Sequence, residues 1–196
     1  MTPRDMTPHE TLAAELARLD ALEQGIDTAL ETLSADVAID TLDTVRELQC
    51  REQLQYAIDQ RREQTADRRR HLEEAFDVLD HRLDTGPVPE LDGLIADKEK
   101  FNNVVLNDEL RPLYYVETML KLEALECTRY ERVIGLARSL DDETGEAVAD
   151  AIAPNYEHAC DVRTELESLA DGAAVDRLLA ASQIDDADRA SLDPYQ

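Results

Sequence analysis

The sequence predicts an all-α protein: an antiparallel four-helix bundle of long helices, ferritin-like or coiled-coil-like, with a short C-terminal helix. Three observations carry this. Apolar residues recur every three to four positions over most of the 196 residues. Gly and Pro total 13, and most stand where helices should end. No stretch of useful length alternates apolar and polar residues as a strand would.

The first helix is expected over about 8–33. It opens at Thr7-Pro8 and carries Leu12, Leu16, Leu19, Leu22, Ile26 and Leu30 on one face. Ser34 or Asp36 is then expected to cap a second helix over 37–84, because no Gly or Pro occurs from Val37 to Leu83. Such a helix would be roughly 70 Å long. Gly86-Pro87-Val88-Pro89 ends it, and 86–107 reads as a connector with a short amphipathic piece around Leu91, Leu94 and Ile95. A third helix is expected over 108–140, capped by Asn107 or Asp108 with Pro112 in its first turn. A fourth follows over 143–171, where Pro154 either kinks the helix or starts a new segment. Residues 1–172 thus read as one bundle, and 173–196 as a short helix and polar tail.

Charge narrows the function classes. The chain has 45 acidic and 20 basic residues, a formal charge of −25; 24 acids are Asp and only three bases are Lys. A nucleic-acid backbone is an unfavourable main partner for such a chain, and so is an anionic membrane. No apolar run is long enough to span a bilayer, and the N-terminus has no signal-peptide stretch, so a cytoplasmic location is expected. The Asp-rich, Lys-poor composition, with two Phe and no Trp, is similar to that of proteins from salt-in halophiles, notably haloarchaea. Molar salt would screen the self-repulsion of this surface. An ordinary acidic or calcium-buffering protein is the alternative, although no Asp cluster has a calcium-loop pattern.

Chemistry-bearing motifs are sparse. Cys50, Cys127 and Cys160 are far apart in sequence and read as small buried residues of a reducing compartment, not as a disulfide or zinc framework. The Gly residues do not cluster into a phosphate-binding loop, and no nucleophile has an activating His on its own helical face. No catalytic residue and no cofactor is therefore expected.

The segment with most information is Arg61–Arg70. Ile58, Thr65, Leu72 and Leu79 recur every seven residues, yet no large apolar residue lies between Ile58 and Leu72. Arg61, Arg62, Arg68, Arg69 and Arg70 fill that gap, with Arg61 and Arg68 seven apart and Arg62 and Arg69 likewise. On the third helix the apolar face likewise includes Glu117, Glu123, Glu126 and Glu131 beside Leu113, Leu120, Cys127, Tyr130 and Ile134. Three readings stand side by side: charges that reach a solvated face, a buried Arg–Glu layer between helices, or a docking patch for an acidic partner or nucleic acid. The unbroken second helix also suggests a homodimer or a protein partner along its length.

Four segments carry a resemblance. REQTADRRRHLEEAF (Arg62–Phe76), LDALEQG (Leu19–Gly25), PELDGL (Pro89–Leu94) and CTRYE (Cys127–Glu131) occur in the order of similar motifs in the small ferritin-like stress proteins of bacteria, a family with a domain of unknown function. That resemblance implies a bundle whose core could hold two iron or manganese ions, and a role in iron or peroxide handling. The implied ligands are Glu23, Glu63, Glu131 and either Glu157 or His158. The chain departs from the pattern at the motif itself. It contains no Glu-x-x-His, Thr128-Arg129 replaces the expected Glu and His, and Arg68 stands at an expected ligand position. A relict bundle, with Arg–carboxylate pairs in place of metal–carboxylate bonds, fits these residues better than a working oxidase.

Overall fold

The structure is a computed structural model and describes residues 6–39, 45–80, 82–83, 86–104, 111–172 and 176. Six helices occur among these residues: α1 (Pro8–Ile39), α2 (Val45–Glu63), α3 (Thr65–Leu79), α4 (Pro89–Val104), α5 (Arg111–Arg138) and α6 (Glu143–Ala170). No strand occurs among them. The expected C-terminal helix lies outside the described residues except for Asp176, and so do the proposed caps Asn107 and Asp108.

Helix ends follow local chemistry. At the start of α1, the Thr7 backbone N–H donates to Glu10 Oε2 (2.8 Å) and the Glu10 N–H donates to Thr7 Oγ1 (3.2 Å), a reciprocal capping box with Pro8 in the first helical position. Asp142 caps α6 by accepting from the Gly145 N–H at 2.7 Å. The turn before it passes through Asp141 at φ 54°, a left-handed conformation that Asp tolerates. Gly145 is required by proximity. A Cβ there would lie 2.2 Å from the Ala137 carbonyl oxygen, so its absence lets α6 turn back closely onto α5.

Three boundaries differ from the sequence expectation. Ser34 and Asp36 lie inside α1, which runs on to Ile39 and buries Leu33 and Val37 on the same stripe as Leu30. The long second helix is interrupted at Gln64, where φ −92° and ψ −3° depart from helical values although no Gly or Pro is present. Only polar and small residues lie between Ile58 and Leu72, so no large apolar side chain holds that stretch straight. The expected connector contains a full helix, α4, whose Leu91 is buried and closes over Gly25. Conversely, α6 continues through Pro154 as one helix.

Two apolar clusters make the core. One gathers Leu22, Ile26, Leu30 and Leu33 of α1 with Leu54 and Ile58 of α2, Met119 and Leu122 of α5, and Leu166 of α6. The other gathers Leu12, Leu16 and Leu19 of α1 with Leu72 and Phe76 of α3, Tyr130 and Val133 of α5, and Ile152 of α6. Thus α1, α5 and α6 run through both clusters, whereas α2 serves the first and α3 the second. The α2–α3 interruption falls where the clusters meet, and that junction is polar.

Candidate functional site

Five charged side chains occupy the junction. Glu23 of α1, Arg61 of α2, Arg68 of α3, and Glu123 and Glu126 of α5 are all buried, with Glu123 and Glu126 at 0% exposure. Each sits at a position where the apolar spacing calls for a core residue: Leu19–Glu23–Ile26 on α1, Ile58–Arg61 and Arg68–Leu72 across α2 and α3, Met119–Glu123–Glu126–Tyr130 on α5. The helical repeat therefore carries the charges inward.

Their pairing is asymmetric. Arg61 donates from Nη2 to Glu23 Oε2 (3.0 Å) and Glu126 Oε2 (2.8 Å), and from Nε to Glu123 Oε1 (3.3 Å). Arg68 donates from Nη1 to Glu23 Oε1 (3.4 Å) and contacts Glu126 Oε1. Glu23 and Glu126 each join both guanidinium groups, while Glu123 hydrogen-bonds only Arg61. Tyr130 donates its hydroxyl to Glu23 Oε1 at 2.7 Å and accepts from Asn155 Nδ2 at 3.0 Å. Asn155 Nδ2 also donates to the Arg68 carbonyl (3.1 Å), and Asn155 Oδ1 lies 2.6 Å from His71 Nδ1. With its amide nitrogen committed as donor, Asn155 offers His71 an acceptor, so Nδ1 carries the proton.

The electrostatics follow from this geometry. Burial works to lower the Arg61 pKa, but the Glu23 and Glu123 carboxylates outweigh it and hold the group above its ordinary value. Arg68 goes the other way, lowered first by burial and then by the neighbouring Arg61 cation. Glu123 is raised by burial despite both arginines, and its Oε2 has no hydrogen-bond partner among the described residues. Burial and the Glu23 carboxylate raise Tyr130 well above the usual phenol value, so it stays a hydrogen-bond donor. Glu123 hydrogen-bonds one arginine and leaves one oxygen unpaired, so its burial favours the protonated form.

The upward shift of Glu123 predicts a pH dependence. A carboxyl group raised on folding contributes its stability below the ordinary carboxylate range and loses it as pH rises through the raised value. Glu123→Gln removes this titration. The variant is expected to match or exceed the parent in stability at neutral pH and to lack that decline, as read by urea unfolding across a pH series. A variant much weaker than the parent at neutral pH would show that ionised Glu123 is needed.

The structure separates the expected site residues. Glu23, Arg61, Arg68, Glu123 and Glu126 come together. Arg62 is exposed, Arg69 pairs with Asp27 (3.2 Å), and Arg70 pairs with Asp67 (3.3 Å) and Glu74 (3.0 Å) at the surface. The five arginines therefore do not form one patch. Glu63, Glu131 and Glu157 are exposed, and His158 is half-buried, its pKa lowered by burial and then by the Arg68 and Arg61 cations. Of the ligand set implied by resemblance, only Glu23 reaches the layer. These residues do not fit a pair of metal ions, because guanidinium nitrogens already lie 2.8–3.4 Å from the carboxylate oxygens a metal would need. Among the described residues, no three His, Cys, Asp or Glu side chains are grouped to hold a metal ion.

Sequence reasoning missed Tyr130, Asn155 and Glu15. Asn155 had a signal: it is the polar member of the series Val148, Ile152, Asn155, Ala159, Val162, Leu166, spaced by fours and threes. Glu15 is 6% exposed and is ringed by Arg18 (3.0 Å), Arg132 (3.3 Å) and Arg129 (3.6 Å), a second and shallower ion cluster on α1 and α5. Cys127 and Cys160, distant in sequence, are adjacent in space; the Cys50 side chain lies outside the described residues.

Fold and site together define an all-helical protein with an ionic layer across its core. The chain belongs to the family described as Domain of unknown function (DUF892), which it matches over residues 7–179. Among solved structures it is similar to YcfI, "a putative structural protein from Rhodopseudomonas palustris", with 18% identity and a TM-score of 0.70. That likeness covers 86% of this chain and 98% of that one, and at such identity it shows the fold alone. No curated protein matches the sequence. Among the described residues, no helix is long and apolar enough to cross a membrane.

Proposed function

We propose that this is a non-catalytic structural or interaction protein on a ferritin-like frame, in which two guanidinium groups take the place of a metal pair. In this reading α2 and α3 together make one of four antiparallel helices, with α1, α5 and α6 as the others. The observation that carries it is the sharing of Glu23 and Glu126 between Arg61 and Arg68. A centre whose carboxylates are engaged by fixed cations has no open position for substrate or oxygen chemistry. Its role is to join four helices. The description of YcfI as a structural protein points in the same direction.

The setting we infer is the cytoplasm of an extreme halophile, supported by a charge of −25 with three Lys. The interruption at Gln64 removes the argument from one continuous second helix, so partner binding, through a second copy or another protein, is proposed on the outer face of α2 alone. Tyr56 is 63% exposed there. Light scattering in molar salt reads the oligomeric state, and a compact monomer would leave only another protein as partner.

Metal analysis tests the central reading. Protein purified without chelators is expected to carry iron and manganese well below one equivalent per chain. A metal pair retained at full occupancy, and lost on Glu23→Ala or Glu126→Ala, would overturn the structural reading in favour of a working metal centre.

A further inference from the structure

Cys127 of α5 and Cys160 of α6 face each other with Sγ atoms 3.8 Å apart, both as free thiols. They are 33 positions apart in the chain and lie on the two helices that contact each other most extensively. Forming a bond of about 2.05 Å asks each sulfur to move roughly 0.9 Å, within reach of small side-chain rotations. Cys127 directly follows Glu126, so a bond here would fasten α5 to α6 at the edge of the ionic layer.

The two thiols differ in access. Cys127 is buried, and burial followed by the neighbouring Cys160 pushes its pKa up to about 12. Cys160 is half-buried, with Tyr156 hydrogen-bonded to it from one turn earlier on α6. Arg163, one turn later on α6, is the cation that favours the Cys127 thiolate. An external reagent therefore meets Cys160 first, and Cys127 is placed to react second.

We propose that Cys127 and Cys160 are a reversible disulfide site, oxidised by a low-molecular-weight disulfide, that clips α5 to α6 beside the buried charges. The Cys160 thiolate attacks one sulfur of the reagent, forming a mixed disulfide and expelling one thiolate, which takes up a proton. The Cys127 thiolate then attacks Cys160 Sγ and expels the second reagent thiolate. Two protein thiols are oxidised to one disulfide, and one reagent disulfide is reduced to two thiols.

Oxidised glutathione on the folded full-length Cys50→Ser chain, at mildly alkaline pH, tests the site. The expected product is lighter by two hydrogens, retains no glutathione, and yields a Cys127–Cys160 peptide on digestion. It should melt higher than the reduced form, by on the order of 5–10 °C, and dithiothreitol should reverse the shift. A stable glutathione adduct on the Cys50→Ser chain, or two thiols still free after treatment, would overturn the proposal, as would a cross-linked chain that melts no higher. Cys127→Ala in the same background is expected to stop at one glutathione on Cys160. An unmodified chain there would overturn Cys160 as the point of entry.

Discussion

Arg61→Ala is expected to lower the free energy of unfolding by about 3–5 kcal/mol, the range seen when one member of a buried ion pair is removed. The effect comes less from lost attraction than from what remains. Glu23, Glu123 and Glu126 would face Arg68 alone, and Glu123 would lose its one hydrogen-bonded cation. Urea unfolding at neutral pH measures this loss. The matching control replaces Glu23, Arg61, Arg68, Glu123 and Glu126 together by apolar residues of similar size. That chain is expected to be as stable as the parent or more so, since burying the five charges cost desolvation at the outset. A loss below about 1 kcal/mol for Arg61→Ala would mean that solvent reaches the layer.

Leu16→Ala and Leu30→Ala are each expected to cost about 2–5 kcal/mol, because both side chains are fully buried and each deletion leaves a cavity. The informative quantity is their combination. Both residues lie on α1, 14 positions and therefore about 21 Å apart, on opposite sides of the ionic layer. Their effects should add to within about 0.5 kcal/mol. A larger coupling energy would show that the two clusters behave as one continuous core despite the charges between them.

Much of this architecture was legible in the sequence, for a clear physical reason. Long helices that bury a stripe must repeat apolar residues at threes and fours, and the stripes of α1, α5 and α6 are visible from Leu12, Met119 and Val148 onward. The buried Arg–Glu layer was among the sequence readings because Arg61 and Arg68 interrupt such a stripe. Which of the five arginines face inward was not resolved there. Arg62 and Arg69 share the same seven-residue spacing, and only packing against α1 and α5 separates the two pairs. The interruption at Gln64 carries no proline or glycine; it is a departure of one residue's φ and ψ within a stretch that lacks large apolar side chains. The ligands implied by resemblance lie apart for a different reason. Glu63, Glu131 and Glu157 were placed by matching short helical motifs. A shift of a few residues turns such a match from the inner to the outer face of a helix. The apolar face read on the third helix took in Glu117 and Glu131 as well as Glu123 and Glu126, and only the last two are buried.

The shared arginines also bear on how the chain recognises its own correct assembly. Leucine contacts tolerate approximation: one helix slid along another by a turn still finds apolar neighbours. Charges at a single level do not. If α1 were displaced by one turn, about 5.4 Å, Glu23 would leave both guanidinium groups and the Tyr130 hydroxyl and lie among leucines. Arg61 can meet Glu123 and Glu126 with α2 and α5 alone, but all five charges are paired only when α1, α2, α3 and α5 arrive at one level. The layer acts as a checksum on the fold: even a nearly correct arrangement leaves a buried carboxylate without its cations.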